Sequence, residues 1–162
     1  MGIDDIGYIQ AYKESFVEVL DSMTGIKGTI SGPDAQEISF TLTGMAVIIG
    51  ITGKYPGRII LWMNAETVSK LANAVNAGND ELVADEEYMM DIVAEFCNIT
   101  AGHATTKVNN ANDELNLMIT PPGIFSGVDM GIISPKIKSE LLISNTSIGK
   151  VFISIGFERG AD

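Results

Sequence analysis

Three polar side chains recur at helical spacing in the middle of the sequence. Asp91, Glu95 and Asn98 stand at positions i, i+4 and i+7. At about 100° per residue they fall within about 60° of one another on a helix. A carboxamide can donate and accept hydrogen bonds at once, so Asn98 can hold a water molecule. A carboxylate such as Glu95 can pair with a cation on a partner. The spacing therefore indicates one polar stripe with these two abilities.

No strong nucleophile accompanies this stripe. The sequence offers neither a Ser-His nor a Cys-His pair beside it. A reaction that needs only an amide and a carboxylate must take its electrophile and its metal from a partner. Phosphoryl transfer fits this requirement, because positioning and electrostatics supply most of its catalysis. Exposed acidic and amide residues are, however, usually only solvated, so the residue types alone do not choose the reaction.

The helix that would carry the stripe begins near Asp85 and runs to about Asn110. Its apolar positions recur with a helical period and define a core face. That face comprises Met89, Ile92, Val93, Phe96, Thr100 and His103. We expect His103, the only histidine, to be packed in the core, and Cys97 to be a small buried hydrophobe. Gly102 lies on the polar stripe and leaves room for a close approach.

The remaining patterns predict an α+β fold. Two further helices are predicted at 4–23 and 65–76, with Asn64 as the N-cap of the second. Alternating or continuous apolar runs predict strands at 37–42, 45–52, 58–63, 114–119, 137–144 and 148–157. The residues at 121–123, Pro-Pro-Gly, predict irregular backbone, because proline cannot continue a ladder of hydrogen bonds. This order predicts a mainly antiparallel sheet packed with a long N-terminal helix and a central helix pair.

Composition limits the class of protein. A chain of 162 residues with 46% hydrophobic content is expected to form one compact domain over 1–162. Its formal net charge of −11 disfavours binding to nucleic acid or to an anionic membrane. The charge suits a basic protein partner or simply solubility. With a single cysteine, no internal disulfide is possible.

The longest apolar run, 45–51, is too short to span a bilayer, and the acidic first residues do not resemble a secretory signal. We therefore expect a cytoplasmic protein.

The stripe resembles a family signature once its spacing to a later proline is included. Asp91, Glu95 and Asn98 are followed, after twenty-two residues, by Pro121. This is similar to the signature of the CheC/CheX/FliY family of CheY phosphatases: Asp or Ser, three residues, Glu, two residues, Asn, twenty-two residues, Pro. All four positions match without a gap. Two-site members carry the motif twice over a longer chain, so a single copy at this length is most similar to the CheX branch.

The resemblance implies a hydrolase that removes phosphate from the aspartyl-phosphate of a CheY-like receiver domain in chemotaxis signalling. Asn98 would orient the attacking water, and Glu95 would pair with the regulator's active-site lysine. Asp91 would make an accessory partner contact, and Pro121 would shape the loop beside the helix. The Mg²⁺ would be supplied by the response regulator, so the chain would have no metal site or cofactor of its own. Family members of this type form homodimers through their sheets.

Two other functions stay open. A binding module of the same fold could sequester the phosphorylated regulator, or act as an adaptor in the flagellar switch, without hydrolysis. A structural dimer could instead leave the helix stripe merely solvated. The lifetime of a phosphorylated receiver in the presence of the chain separates a phosphatase from both.

Overall fold

The computed structural model describes residues 7–35, 39–76, 85–133 and 139–158. The helices in these ranges are α1 (Tyr8–Thr24), α2 (Ala65–Val75) and α3 (Glu86–Ala111). The strands are β1 (Thr29–Ala35), β2 (Ser39–Thr52), β3 (Gly57–Asn64), β4 (Met118–Ile119), β5 (Gly123–Ile133), β6 (Ser139–Thr146) and β7 (Gly149–Phe157). A 3₁₀ turn, Asp113–Leu115, lies between α3 and β4.

All the described strands belong to one sheet. Its order is β1-β6-β7-β3-β2-β4, and β5 also pairs with β2. Every pairing is antiparallel. The long strand β2 pairs with β3 on one side, and on its other side with β4 and β5 in turn. The predicted α+β fold with a mainly antiparallel sheet is therefore confirmed.

The three helices cover one face of this sheet. Successive side chains of a strand face opposite sides, so Ile59, Leu61 and Met63 of β3 all point toward the helices and join the main core. Phe16 of α1 and Phe96 of α3 meet edge to face there, with ring centroids 5.4 Å apart. Each such fully buried side chain stabilises the fold by about 1.5–3 kcal/mol. Because α3 contacts α1, α2 and β2, its inner side is fixed.

The ends of the helices follow from local sequence. Gly25, with a φ of 75°, ends α1 in the left-handed conformation that glycine adopts without strain. Asn64 begins α2, since its side-chain oxygen accepts the Thr67 N–H at 2.9 Å, as predicted. None of the described helices combines the length and apolar content needed to cross a membrane.

The opposite face of the sheet carries a second apolar cluster. Its buried members are Leu42, Ala46, Ile60, Trp62 and Leu141. The Trp62 ring stacks on Phe152 of the neighbouring strand, with centroids 5.4 Å apart and planes 9° apart. No described helix contributes to this cluster, whose described members all lie on strands.

Several predicted strands differ from the structure. The strands predicted at 37–42 and 45–52 are parts of one strand, β2, interrupted by a shift of register at Gly44. A Cβ at Gly44 would collide with the Met63 carbonyl oxygen of β3, on the other side of β2, so the close approach of β3 requires glycine there. The strand predicted at 114–119 is confirmed only at Met118–Ile119, which form β4; its first part is wrong, because a 3₁₀ turn and Asn116, with a φ of 45°, replace it. Strands β1 and β5 were not predicted. Residues 4–6, 37–38 and 137–138 of predicted elements lie outside the described residues.

Candidate functional site

The helix α3 begins with a side-chain cap. Asp85 Oδ1 accepts the Glu87 N–H at 3.0 Å, and Glu86 and Glu87 place negative charge in the first turn, where the helix dipole favours it. The inner side of α3 is buried along its length, at Ile92, Val93, Phe96, Cys97, Thr100, Ala101, Ala104, Thr105 and Val108. The helix is thus a fixed support for the side chains that project outward.

Asp91, Glu95 and Asn98 are all exposed on the outer side of α3. They span about 10 Å along the helix axis at 1.5 Å per residue. Within the part of the chain that the structure describes, none of the three side chains has a hydrogen bond or an ion pair with another residue. The predicted common stripe is therefore present, and its functional groups are available to a partner. Their contact with that partner stays a prediction.

The fourth motif residue, Pro121, lies beside this stripe. A Cβ built at Gly102 of α3 would lie 3.9 Å from Ile119 Cδ1, so β4 lies against the helix there. Asn98 is four residues before Gly102, about 6 Å along the axis. Pro121 is two residues after Ile119, about 7 Å along an extended chain. Because β5 then reaches the start of α3, where Ser126 Oγ donates to Glu86 Oε1 at 2.6 Å, the chain runs antiparallel to the helix. These ideal lengths put Pro121 at about the height of Asn98 along the helix axis.

Pro121 occupies a break between two strands that share one edge of β2. Pro121 and Pro122 have no N–H to donate, so they cannot continue a ladder. The Thr120 N–H donates to the Gly50 carbonyl at 2.9 Å, and Thr120 Oγ1 accepts the Gly50 N–H at 2.8 Å. The threonine hydroxyl thus takes the place of a backbone acceptor. The irregular backbone predicted at 121–123 is confirmed at Pro121 and Pro122 as this interruption of an edge strand, whereas Gly123 already belongs to β5.

The first half of α3 is acidic. Its exposed carboxylates are Glu86, Glu87, Asp91 and Glu95. The one lysine of the helix, Lys107, lies near the opposite end and pairs with Glu18 at 3.1 Å and Glu14 at 3.7 Å. The motif therefore faces solvent with negative charge and attracts a positively charged partner surface.

Neither Cys97 nor His103 adds a nucleophile or base to the stripe. Cys97 is fully buried, and this burial raises the pKa of its thiol to about 12, as suits the predicted small hydrophobe. His103 is exposed, so the prediction that it packs in the core is wrong. The core at this end of α3 uses the smaller residues Ala101, Ala104 and Thr105 instead. At about 100° per residue, His103 points about 80° away from Glu95.

The side chains of the stripe can position reacting groups. In the described part of the chain, no three His, Cys, Asp or Glu residues come together as a metal site. The carboxamide of Asn98 can bind a water molecule through both its donor and acceptor atoms, and the carboxylate of Glu95 can pair with a cation.

Sequence patterns did not predict the neighbours of the stripe. Ile119 and Ser126 reach α3 only because both sides of β2 are paired, and that pairing has no local signal in the sequence. Asn109 was likewise not singled out, although its side chain bonds to the backbone of Leu117. Asn109 follows Asn98 by eleven residues, which places it only about 20° from Asn98 around the helix axis. This spacing could have identified Asn109 as a residue on the same side of the helix.

Comparison with known proteins identifies the family that the chain resembles. The family model described as "Chemotaxis phosphatase CheX" matches residues 45–146. The "CheY-P phosphatase CheX" of Thermotoga maritima is 28% identical over 140 residues, which are 86% of this chain and 88% of the relative.

Solved structures of CheX proteins share the fold of the chain. The chemotaxis protein CheX from Desulfovibrio desulfuricans has a TM-score of 0.80 and 17% identity, covering 95% of this chain and 99% of that one. A CheX in complex with CheY, BeF3 and Mg²⁺ from Borrelia burgdorferi has a TM-score of 0.72 and 23% identity, with the same coverage of 95% and 99%. These likenesses show the fold, and the family model, which matches more than half of the chain, shows the family. The chain therefore belongs to the CheX chemotaxis phosphatase family.

Proposed function

We propose that this chain hydrolyses the aspartyl-phosphate of a CheY-like receiver domain. One observation carries the proposal: Glu95 and Asn98 are exposed on one stripe, their side chains have no partner among the described residues, and Pro121 follows at the spacing of the family signature. The relative from Thermotoga maritima is named a CheY-P phosphatase. The related CheX from Borrelia burgdorferi has been solved bound to CheY. Both names fit a site that lacks its own electrophile.

Asn98 is the residue that we assign to the attacking water. Its carboxamide oxygen accepts a hydrogen bond from the water while its NH₂ group donates to the phosphoryl oxygens. The water oxygen bonds to phosphorus as the bond between phosphorus and the aspartate oxygen breaks. The aspartate leaves as a carboxylate, and the water protons pass to the phosphate and to solvent. The chain forms no covalent intermediate, so its contribution is orientation.

Glu95 is the residue that we assign to docking. It lies one helical turn before Asn98 on the same stripe, so a lysine of the receiver that pairs with Glu95 fixes where Asn98 enters. A charge-assisted hydrogen bond of this kind is stronger than a neutral one. Asp91 extends the acidic surface one turn further, and Pro121 forms the adjoining edge. Both are proposed as partner contacts.

We assign the Mg²⁺ of the reaction to the receiver domain. Asp91 and Glu95 are exposed, and no third ligand joins them among the described residues. The two carboxylates therefore suit cationic side chains of a partner better than a metal ion held by this chain.

The experiment that tests the function is the decay of a phosphorylated receiver domain. A panel of receivers is phosphorylated with a small-molecule donor, and each decay is followed with and without the chain. Faster decay of at least one receiver is expected. Unchanged decay across the panel at saturating chain contradicts the proposal. Capture of the phosphorylated receiver without faster decay instead favours the binding module or switch adaptor.

We also propose that the chain forms a homodimer through its sheet. Among the described strands β5 pairs with β2 alone, so its second edge offers free backbone groups to another strand. Phe125 and Val128 on this strand are 52% and 77% exposed. A second copy that extends the sheet here would pair that edge and cover both side chains.

Two broader predictions accompany this function. One domain over residues 1–162 remains our prediction for the organisation of the chain. A cytoplasmic location is proposed as well, since a free buried thiol at Cys97 suits a reducing compartment.

A further inference from the structure

The side chain of Asn109 takes the place of a neighbouring strand for Leu117. Its Nδ2 donates to the Leu117 carbonyl at 2.8 Å, and its Oδ1 accepts the Leu117 N–H at 2.9 Å. Both backbone groups of Leu117 are thus satisfied by one amide, as a paired strand would satisfy them. Asn109 lies on α3, so these two bonds tie the helix directly to the segment that leads to Pro121.

The same segment is also held from its other side. Thr120 bonds to both backbone groups of Gly50 in β2, at 2.9 and 2.8 Å. Leu117 is 2% exposed and packs in the main core. Residues 117–121 (the 117–121 segment) therefore lie between α3 and the edge of the sheet. Specific hydrogen bonds hold the segment on each side.

The 117–121 segment borders the motif. Ile119 lies against Gly102, one turn beyond Asn98. From the ideal rise per residue of helix and strand, Pro121 lies at about the height of Asn98 along the helix axis. We propose that Asn109 is a positioning residue for the hydrolysis: it fixes the 117–121 segment beside Asn98. This inference rests on the proposed phosphatase function.

The physical reason is the tolerance of the reaction geometry. A receiver docked on Asn98 meets α3 on one side and the 117–121 segment on the other. If the segment moves, the phosphoryl group and its water gain freedom, and displacements of about 1 Å can lower a rate many-fold. Docking changes little, because its charge-assisted contact is made by Glu95, which lies on α3 and keeps its position, whereas the proposed contact of Pro121 is uncharged. Loss of the Asn109 bonds should therefore lower kcat more than it raises KM.

The test compares Asn109→Ala and Asn109→Asp with a matched control on the same helix. Thr105→Val removes a buried hydrogen bond between Tyr8 Oη and Thr105 Oγ1, 3.0 Å long, where α3 packs against α1. Each variant is assayed for receiver dephosphorylation well below its Tm, with kcat and KM determined separately. Asn109→Asp keeps the acceptor for the Leu117 N–H and serves as the milder variant.

We expect Asn109→Ala to lower kcat about three- to tenfold with KM changed less than about twofold. Asn109→Asp should fall between it and the wild type. Thr105→Val should lower Tm and leave both kinetic parameters unchanged. A kcat for Asn109→Ala equal to that of wild type or of Thr105→Val overturns the positioning role while the phosphatase function stands. A wild-type chain that leaves receiver decay unchanged overturns both.

Discussion

Gly102 of α3 and Ile119 of β4 lie at contact distance, since a Cβ added at Gly102 would be 3.9 Å from Ile119 Cδ1. That is an ordinary van der Waals separation, and no other atom of the described residues outside the helix backbone lies within 4 Å. The packing therefore does not require glycine at this position. A glycine inside a helix nevertheless costs about 1 kcal/mol relative to alanine. A partner that approaches the helix closely would explain its presence.

Gly102→Ala should separate stability from activity. We expect the free energy of unfolding to rise by up to about 1 kcal/mol, because alanine loses less backbone entropy in a helix. We expect KM for the phosphorylated receiver to rise, because the new methyl group stands where the partner docks. Chemical denaturation and steady-state kinetics measure the two effects. His103→Ala, on a neighbouring exposed residue off the stripe, is the control. An unchanged KM for Gly102→Ala would mean that the partner does not cover this turn.

Glu95→Gln should weaken docking. The substitution keeps the shape of the side chain and removes its charge, so a charge-assisted hydrogen bond becomes a neutral one. We expect KM to rise about tenfold and the salt dependence of kcat/KM to become shallower. Asp91→Asn should have a smaller effect in the same direction. Glu66→Gln on α2 makes the same change in net charge away from the stripe and should leave KM unchanged. Equal behaviour of the Glu95 and Glu66 variants would contradict the docking role.

The Cys97 thiol should be protected in the folded chain. Burial raises its pKa from the ordinary value of 9.0 to about 12, so the neutral thiol is stabilised by folding. This contribution is fully present below pH 9 and is lost as the pH rises toward 12, because the unfolded chain ionises first. Between these values, the free energy of unfolding should fall more steeply with pH in the wild type than in Cys97→Ala. Parallel slopes, or rapid labelling of the native chain by a thiol reagent, would be inconsistent with this account.

Val128→Lys should disfavour the homodimer. A lysine on the exposed side of β5 puts charge on the edge that is proposed to pair with a second copy. We expect the mass measured by light scattering to shift from dimer toward monomer at equal concentration. Gln10→Lys on α1 makes the same change in charge on an exposed residue of another surface. If both variants keep the mass of the wild type, the dimer does not use this edge.

The helix and its stripe were predictable because their signals are local. Asp85 marks the start of α3, and the apolar period fixes which side is buried, so the exposure of Asp91, Glu95 and Asn98 follows from spacing alone. The reaction was not predictable from these residues. It entered through the resemblance, which depends on the distance in sequence to Pro121.

The surroundings of the stripe depend on pairing that no local pattern encodes. Strand β5 contains three glycines and does not alternate cleanly, so its stability comes from β2 beside it. In the 114–119 segment, Leu115 and Leu117 are buried, as an alternating strand would have them. The alternation predicted their burial correctly, but a 3₁₀ turn and the left-handed Asn116 produce it. The contacts of Ile119 with α3 could therefore be found only from the fold.

Asn98→Ala gives the most direct test of the central claim. The side chain is exposed and makes no hydrogen bond within the described chain, and alanine is the better helix former by about 0.5 kcal/mol. The variant should therefore fold at least as stably as the wild type. The measurement is the decay rate of a phosphorylated receiver domain at saturating chain, with binding of the receiver followed in parallel. The wild type should accelerate decay, and Asn98→Ala should bind the receiver while leaving its decay at the intrinsic rate. Acceleration by Asn98→Ala equal to that of the wild type would contradict the account.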